Sequence, residues 1–128
     1  GVNDQVTFTG IVQRDDIPDL VAAFDVALQP AVVDYASPLK LFEYLALGRA
    51  IIAPRRENLL EVLEDGKNAL MFDPSDAEGM ENTLTQVSED PELRSRLGHA
   101  AKLTITERGF TWKSNAARIA DLFENLKR

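Results

Sequence analysis

Apolar and polar positions change rhythm along this chain, and the change divides it near residue 75. Val6-Thr7-Phe8-Thr9-Gly10 alternates between Asn3-Asp4 and a glycine, which predicts a short strand. Asp15-Asp16-Ile17-Pro18 opens a helix to about Phe24, with an acidic residue at the cap and an early proline. Val26-Ala27-Leu28-Gln29 predicts a second strand, closed by Pro30. After a loop at 31–36, Ser37-Pro38 starts a helix that runs to about Leu47 and stops at Gly48. Ala50-Ile51-Ile52-Ala53 is unbroken and apolar, as a buried strand is. A short helix near residues 59–63, a turn at Asp65-Gly66 and a strand at 69–72 complete the alternation.

Strands alternating with helices over short connections predict an α/β, Rossmann-like parallel sheet flanked by helices on both faces, with right-handed crossovers. From Asp76 no strand signal returns, and helices are predicted at about 76–88, 91–107 and 112–127. The chain therefore reads as one partial domain, 1–128, with an alternating part at 1–75 and a helical C-terminal tail at 76–128. In the last helix Trp112, Ala116, Ile119, Phe123 and Leu126 recur at intervals of four and three. Such a stripe needs cover, either from the chain's own sheet layer or by self-association. A sheet of about four strands is small, and a chain opening directly in a strand is expected to be an N-terminally truncated fragment. The alternative is a complete small domain with an unusual edge.

Composition narrows the function. With 45% hydrophobic and 27% charged residues the chain is ordinary globular protein. It has neither an apolar run long enough to span a bilayer nor a signal-peptide layout, so a cytoplasmic location is the default. The absence of cysteine excludes disulfides, thiolate metal sites and cysteine nucleophiles. A net charge of −7 argues against nucleic acid as a partner, while a small phosphorylated ligand stays compatible with it.

The chemistry gathers in the helix beginning at Ser37. Its faces are nearly all apolar, so Lys40 and Glu43, three residues apart on one stripe, must meet water, a partner or a ligand. Ser37 at the cap and Pro38 in the first helical position would leave the amides of Leu39 and Lys40 pointing out of the helix end, a diphosphate-sized anion site. Lys40 opposes the helix dipole at a cost of a few tenths to ~1 kcal/mol unless an anion lies nearby. Glu43, one turn deeper, could accept hydrogen bonds from a vicinal diol such as ribose presents. The plain alternative is a Lys40–Glu43 contact within the helix, worth ~0.2 to 0.5 kcal/mol. The expected site is a preformed, nucleoside-diphosphate-sized cleft where open parallel sheets bind ligands, at the carboxyl edge.

Other polar residues carry less. His99, the only histidine, falls in the 91–107 helix and reads as a helical surface residue. Asp15-Asp16 read as a helix cap rather than a metal or phospho-acceptor site. Arg55-Arg56, beside Glu57 and Glu61, read as a solvated, salt-bridged face. Glu61 either orders a ligand loop or is a plain glutamate near a helix.

The run Ser37-Pro-Leu-Lys-Leu-Phe-Glu-Tyr-Leu-Ala-Leu-Gly-Arg49, followed by the apolar strand, resembles retaining glycosyltransferases of the large family four, of GT-B architecture. Val6-Thr-Phe-Thr-Gly10, Ile17-Pro18-Asp-Leu20, Asp25-Val-Ala-Leu-Gln-Pro30, Glu61 ahead of Asp65-Gly66-Lys-Asn68, and Phe110-Thr-Trp112 match in the same order. The resemblance implies the C-terminal, donor-binding half of a hexosyltransferase-type enzyme. Its donor is a nucleoside-diphosphate sugar; no cofactor or metal is expected, and no residue of this half is assigned as catalytic. Ser37, Pro38, Leu39 and Lys40 would face the diphosphate and Glu43 would hold the ribose. Asp34 and Tyr35 fall on the donor-sugar side, Tyr35 standing where the family's E-x(7)-E motif begins. The resemblance also implies a missing N-terminal acceptor domain, on which the last helix would pack. The full-length protein would be cytoplasmic or peripheral at a membrane, and the fragment alone inactive. The other readings are a non-catalytic nucleotide-binding or protein-interaction module of this fold, and a sugar-nucleotide epimerase of the same two-lobed architecture.

Overall fold

The apolar run at Ala50 becomes the middle strand of a parallel sheet. In the computed structural model, which describes residues 1–35 and 38–127, the elements follow one another as α1 (Ile17–Ala22), β1 (Val26–Leu28), α2 (Leu39–Ala46), β2 (Ala50–Pro54), α3 (Glu57–Leu60), β3 (Leu70–Phe72), α4 (Gly79–Glu89), α5 (Pro91–Glu107) and α6 (Trp112–Leu126). The strands lie in the order β1-β2-β3, all parallel, with Ala27 opposite Ile51 and Ile52 opposite Leu70.

All five residues of β2 are buried, because helices cover both of its faces. Ile51 and Ala53 point into a core shared with Ala27, Met71 and residues of α1, α2 and α3. Ala50 and Ile52 point the other way, toward Phe72, Val87, Leu93 and Leu97. The connecting helices α2 and α3 lie on the same face, as crossovers of one hand require when the sheet is laid down in sequence order. Gly48, at φ +62°, ends α2 in the left-handed conformation that a side chain would resist.

A buried polar clamp joins the connection before β3 to α5. Asn68, fully buried, accepts from the Glu64 amide at 2.7 Å and donates to Val62 O at 3.3 Å and to Thr104 Oγ1 at 3.0 Å. Thr104 in turn donates to Ala100 O at 2.8 Å. Arg96 donates to Gly66 O, and Arg108 to Glu61 O and Val62 O, at 2.8, 2.6 and 3.2 Å.

Three expectations change, and a choice between two narrows to one. The predicted strand at Val6 joins no sheet: residues 6–10 are exposed, since a strand exists only through a partner's ladder and none of the described residues offers one. Asp16 does stand at the cap of α1 but makes no side-chain cap bond, because a 3-10 turn at Arg14–Asp16 already leads into the helix. Pro38, with ψ 122°, is the cap residue of α2 and not its first helical residue, so the helix begins at Leu39. The expected cap at Ser37 lies outside the described residues. Finally, α6 does not fold against the sheet layer. None of its residues is buried, and Trp112 and Phe123 are 91% and 60% exposed. It is held at its first turns, by Thr111 capping Ser114 N and by Arg118 donating to Arg108 O.

Candidate functional site

The loop leaving the end of β1 delivers the chain to the start of α2, so α2 begins on the carboxyl side of the sheet. Leu41 N–H donates to Pro38 O at 3.0 Å and closes the first turn. Leu41, Tyr44 and Leu45 bury the inner face of α2, which turns Lys40 and Glu43 outward; both are exposed. The two make no ion pair with each other: the pairs among the described residues are Arg55–Asp65, Arg56–Asp34 and Lys67–Glu64. The intrahelical contact weighed as the plain alternative is therefore not formed. Tyr44 is buried beside Glu43, and burial, followed by the neighbouring carboxylate, pushes its phenol above the ordinary value.

Glu43 lines a groove of about 310 Å³ together with Ala46 and Leu47 of α2 and Arg14, Ile17 and Pro18 at the entrance of α1. Its walls are mainly aliphatic, and its two charges, Arg14 and Glu43, are not bonded to each other. Leu39 borders a different hollow of about 430 Å³, with Phe42, Phe110, Thr111, Trp112 and Asn115. Asp34 borders a third, of about 340 Å³, with Arg55, Arg56, Glu57 and Asn58.

Of the predicted residues, Glu43, Leu39 and Asp34 thus line three separate hollows; Pro38, Lys40 and Tyr35 line none of the three, and Ser37 lies outside the described residues. Around the third, Arg56 approaches Asp34 at 3.8 Å and Asn58 Nδ2 donates to Val33 O at 3.0 Å, tying the β1–α2 loop to α3. Arg55 pairs with Asp65, whose other oxygen accepts from Met71 N at 2.8 Å. The salt-bridged reading of the two arginines is what the geometry shows. Tyr35 is exposed, His99 is exposed on α5, and Glu61 contributes its backbone carbonyl to Arg108. Among the described residues no three His, Cys, Asp or Glu side chains gather as a metal site, and no helix is long and apolar enough to cross a membrane. Arg14 was not singled out from the sequence, since nothing local signals that the turn before α1 faces α2.

A parallel sheet with helices on both faces defines a Rossmann-like α/β domain. Residues 1–104 match the family model of glycosyl transferases group 1, and the chain belongs to that family. An uncharacterised glycosyltransferase of Methanocaldococcus jannaschii is 27% identical over 125 residues, which make up 98% of this chain and 32% of that protein. Sucrose-phosphate synthase of Thermosynechococcus elongatus superposes with a TM-score of 0.85 at 23% identity, over 98% of this chain and 31% of its own. The Anabaena protein HepE, solved with UDP and glucose, gives 0.84 at 21% identity, over 97% and 33%. The fold is that of GT-B glycosyltransferases, and this chain spans about a third of the length of these proteins.

Proposed function

We propose that this chain is the donor-binding part of a retaining, family-four type glycosyltransferase. It holds a nucleoside-diphosphate sugar, and the acceptor is held by a preceding domain of the same protein. The observation that carries this reading is Glu43, an unpaired carboxylate on an aliphatic-walled groove, one turn from the unpaired Lys40 at the start of the same helix. The HepE structure with UDP and glucose supports it by analogy of fold.

In this reading Glu43 accepts the two ribose hydroxyls, and the aliphatic wall at Ile17 and Pro18 takes the base. The diphosphate lies toward the helix start at Pro38, Leu39 and Lys40, and Asp34 and Tyr35 face the donor sugar. Transfer breaks the bond between the sugar's anomeric carbon and the diphosphate oxygen, and the bond pair leaves with the nucleoside diphosphate. An acceptor hydroxyl forms the new bond and gives up its proton. Lys40 and the free amides of the first turn offset the charge that grows on the leaving diphosphate, and this lowers the barrier without a metal.

Calorimetry with UDP and uridine tests the assignment. Glu43→Gln should weaken both ligands by ~1 to 3 kcal/mol, the range for a charge-assisted hydrogen bond. Lys40→Ala should weaken UDP far more than uridine, because only the phosphates meet its charge. Binding unchanged in Glu43→Gln, or equal losses in Lys40→Ala, would sink the assignment. A non-catalytic binding module is the second reading, favoured by Tyr35 in the place of a motif glutamate. Sugar transfer by the full-length protein, absent from residues 1–128 alone, decides against it.

A further inference from the structure

Arg14 and Glu43 carry opposite charges, line one groove, and form no ion pair with each other. Neither side chain has a hydrogen bond or ion pair to another described residue. The groove's other lining residues, Ile17, Pro18, Ala46 and Leu47, offer a flat ring an aliphatic surface and no hydrogen bonds from their side chains. A ligand that fills this groove and bonds both charged side chains must give hydrogen bonds to one and take them from the other. Glu43, ionised, only accepts; Arg14 only donates.

We infer that Arg14 is the specificity-determining residue for the base: it selects nucleotides whose base turns a keto oxygen toward it, uracil or guanine, over those with an amino group there, cytosine or adenine. The inference rests on Glu43 as the ribose contact. With the ribose diol donating to Glu43, the base extends along the aliphatic wall to the guanidinium. A keto oxygen accepts from the guanidinium. An exocyclic amino group opposes donor to donor and leaves both without a partner. Uracil and cytosine differ by this exchange at C4 and by the proton on the adjacent N3, so that pair compares ligands of the same size. Guanine and adenine differ by it at C6 and N1, and guanine carries a further amino group at C2.

The experiment is calorimetric binding of UDP, CDP, GDP and ADP to the chain and to Arg14→Leu. Arg14 is exposed and without partners, so the variant should keep the parent's circular dichroism and melting temperature. The parent should prefer UDP to CDP and GDP to ADP by roughly tenfold, within the range for one well-formed contact of this kind. Arg14→Leu should bring both ratios close to one, and uridine against cytidine should show the same loss, since no phosphate is involved. Ratios that survive in Arg14→Leu, or an equal loss on all four diphosphates, overturn the inference. If that happens while Glu43→Gln still weakens every ligand, the site stands and only the role of Arg14 falls. If Glu43→Gln weakens none, the site falls and Arg14 with it.

Discussion

Gly98 of α5 lies against Gly48 at the end of α2 so closely that a β-carbon on Gly98 would stand 2.3 Å from the Gly48 carbonyl oxygen. This contact sets the end of α2 on α5. Both atoms at the clash are backbone or fixed to it, so no side chain can swing away. Gly98→Ala should therefore destabilise by about 1 to 3 kcal/mol, despite the ~1 kcal/mol that alanine adds to a helix interior. Urea unfolding checks it, and a variant at least as stable as the parent would show that α5 can slide.

Asn68 makes three hydrogen bonds in a fully buried place. Asn68→Ala leaves the Glu64 amide without its partner and takes one bond each from Val62 O, which keeps Arg108, and Thr104, which keeps Ala100 O, at a cost of about 2 to 4 kcal/mol. Thr104→Val removes the other end of one bond. A double-mutant cycle should show coupling of at least about 0.5 kcal/mol, and strict additivity would mean that the two do not share a network.

Tyr44 should give the fold an alkaline limit. Its phenol is raised above the ordinary value near 10 by burial first and by Glu43 second. A raised folded value means that the unfolded chain ionises first. The contribution is thus whole below about pH 10 and is lost as pH rises from there through the folded value. Tyr44→Phe should lose less melting temperature between about pH 8 and pH 11 than the parent. Equal losses in the two would leave Tyr44 without a part in it.

The apolar side of α6 is open, with Trp112 and Phe123 both exposed. On an isolated chain such a face favours association. Sedimentation velocity should show self-association rising with concentration, and Trp112→Ser combined with Phe123→Ser should abolish it. A parent that stays monomeric throughout would contradict this.

What could be read from the sequence was what local chemistry decides. The run at Ala50 declares a strand buried on both sides because nothing polar interrupts it, and α5 is bounded as expected by Asp90-Pro91 and Gly109, where Asp90 accepts from Leu93 N. Glu43 and Lys40 could be picked out because a charge on an otherwise apolar helix needs a reason. Val6-Thr7-Phe8 has the alternation of a strand, yet pairing is a property of the neighbour, and alternation says nothing about that. Arg14 stayed hidden for the same reason: its meaning comes from Glu43, which lies far along the chain and reaches it only through the packing of α1 on α2.

The grip of α5 on the connection before β3 also sets an order of assembly. Its polar contacts join residues 30, 36, 46 and 47 positions apart. A polypeptide emerging from the ribosome at ~5 to 20 residues per second has made β3 well before Thr104 and Arg108 exist to fasten what precedes it. Until then the Asn68 side chain stays solvated and the second core lacks its cover from Leu93 and Leu97. Folding therefore waits for the chain to be made through α5, and a nascent chain arrested before residue 90 should remain open to protease.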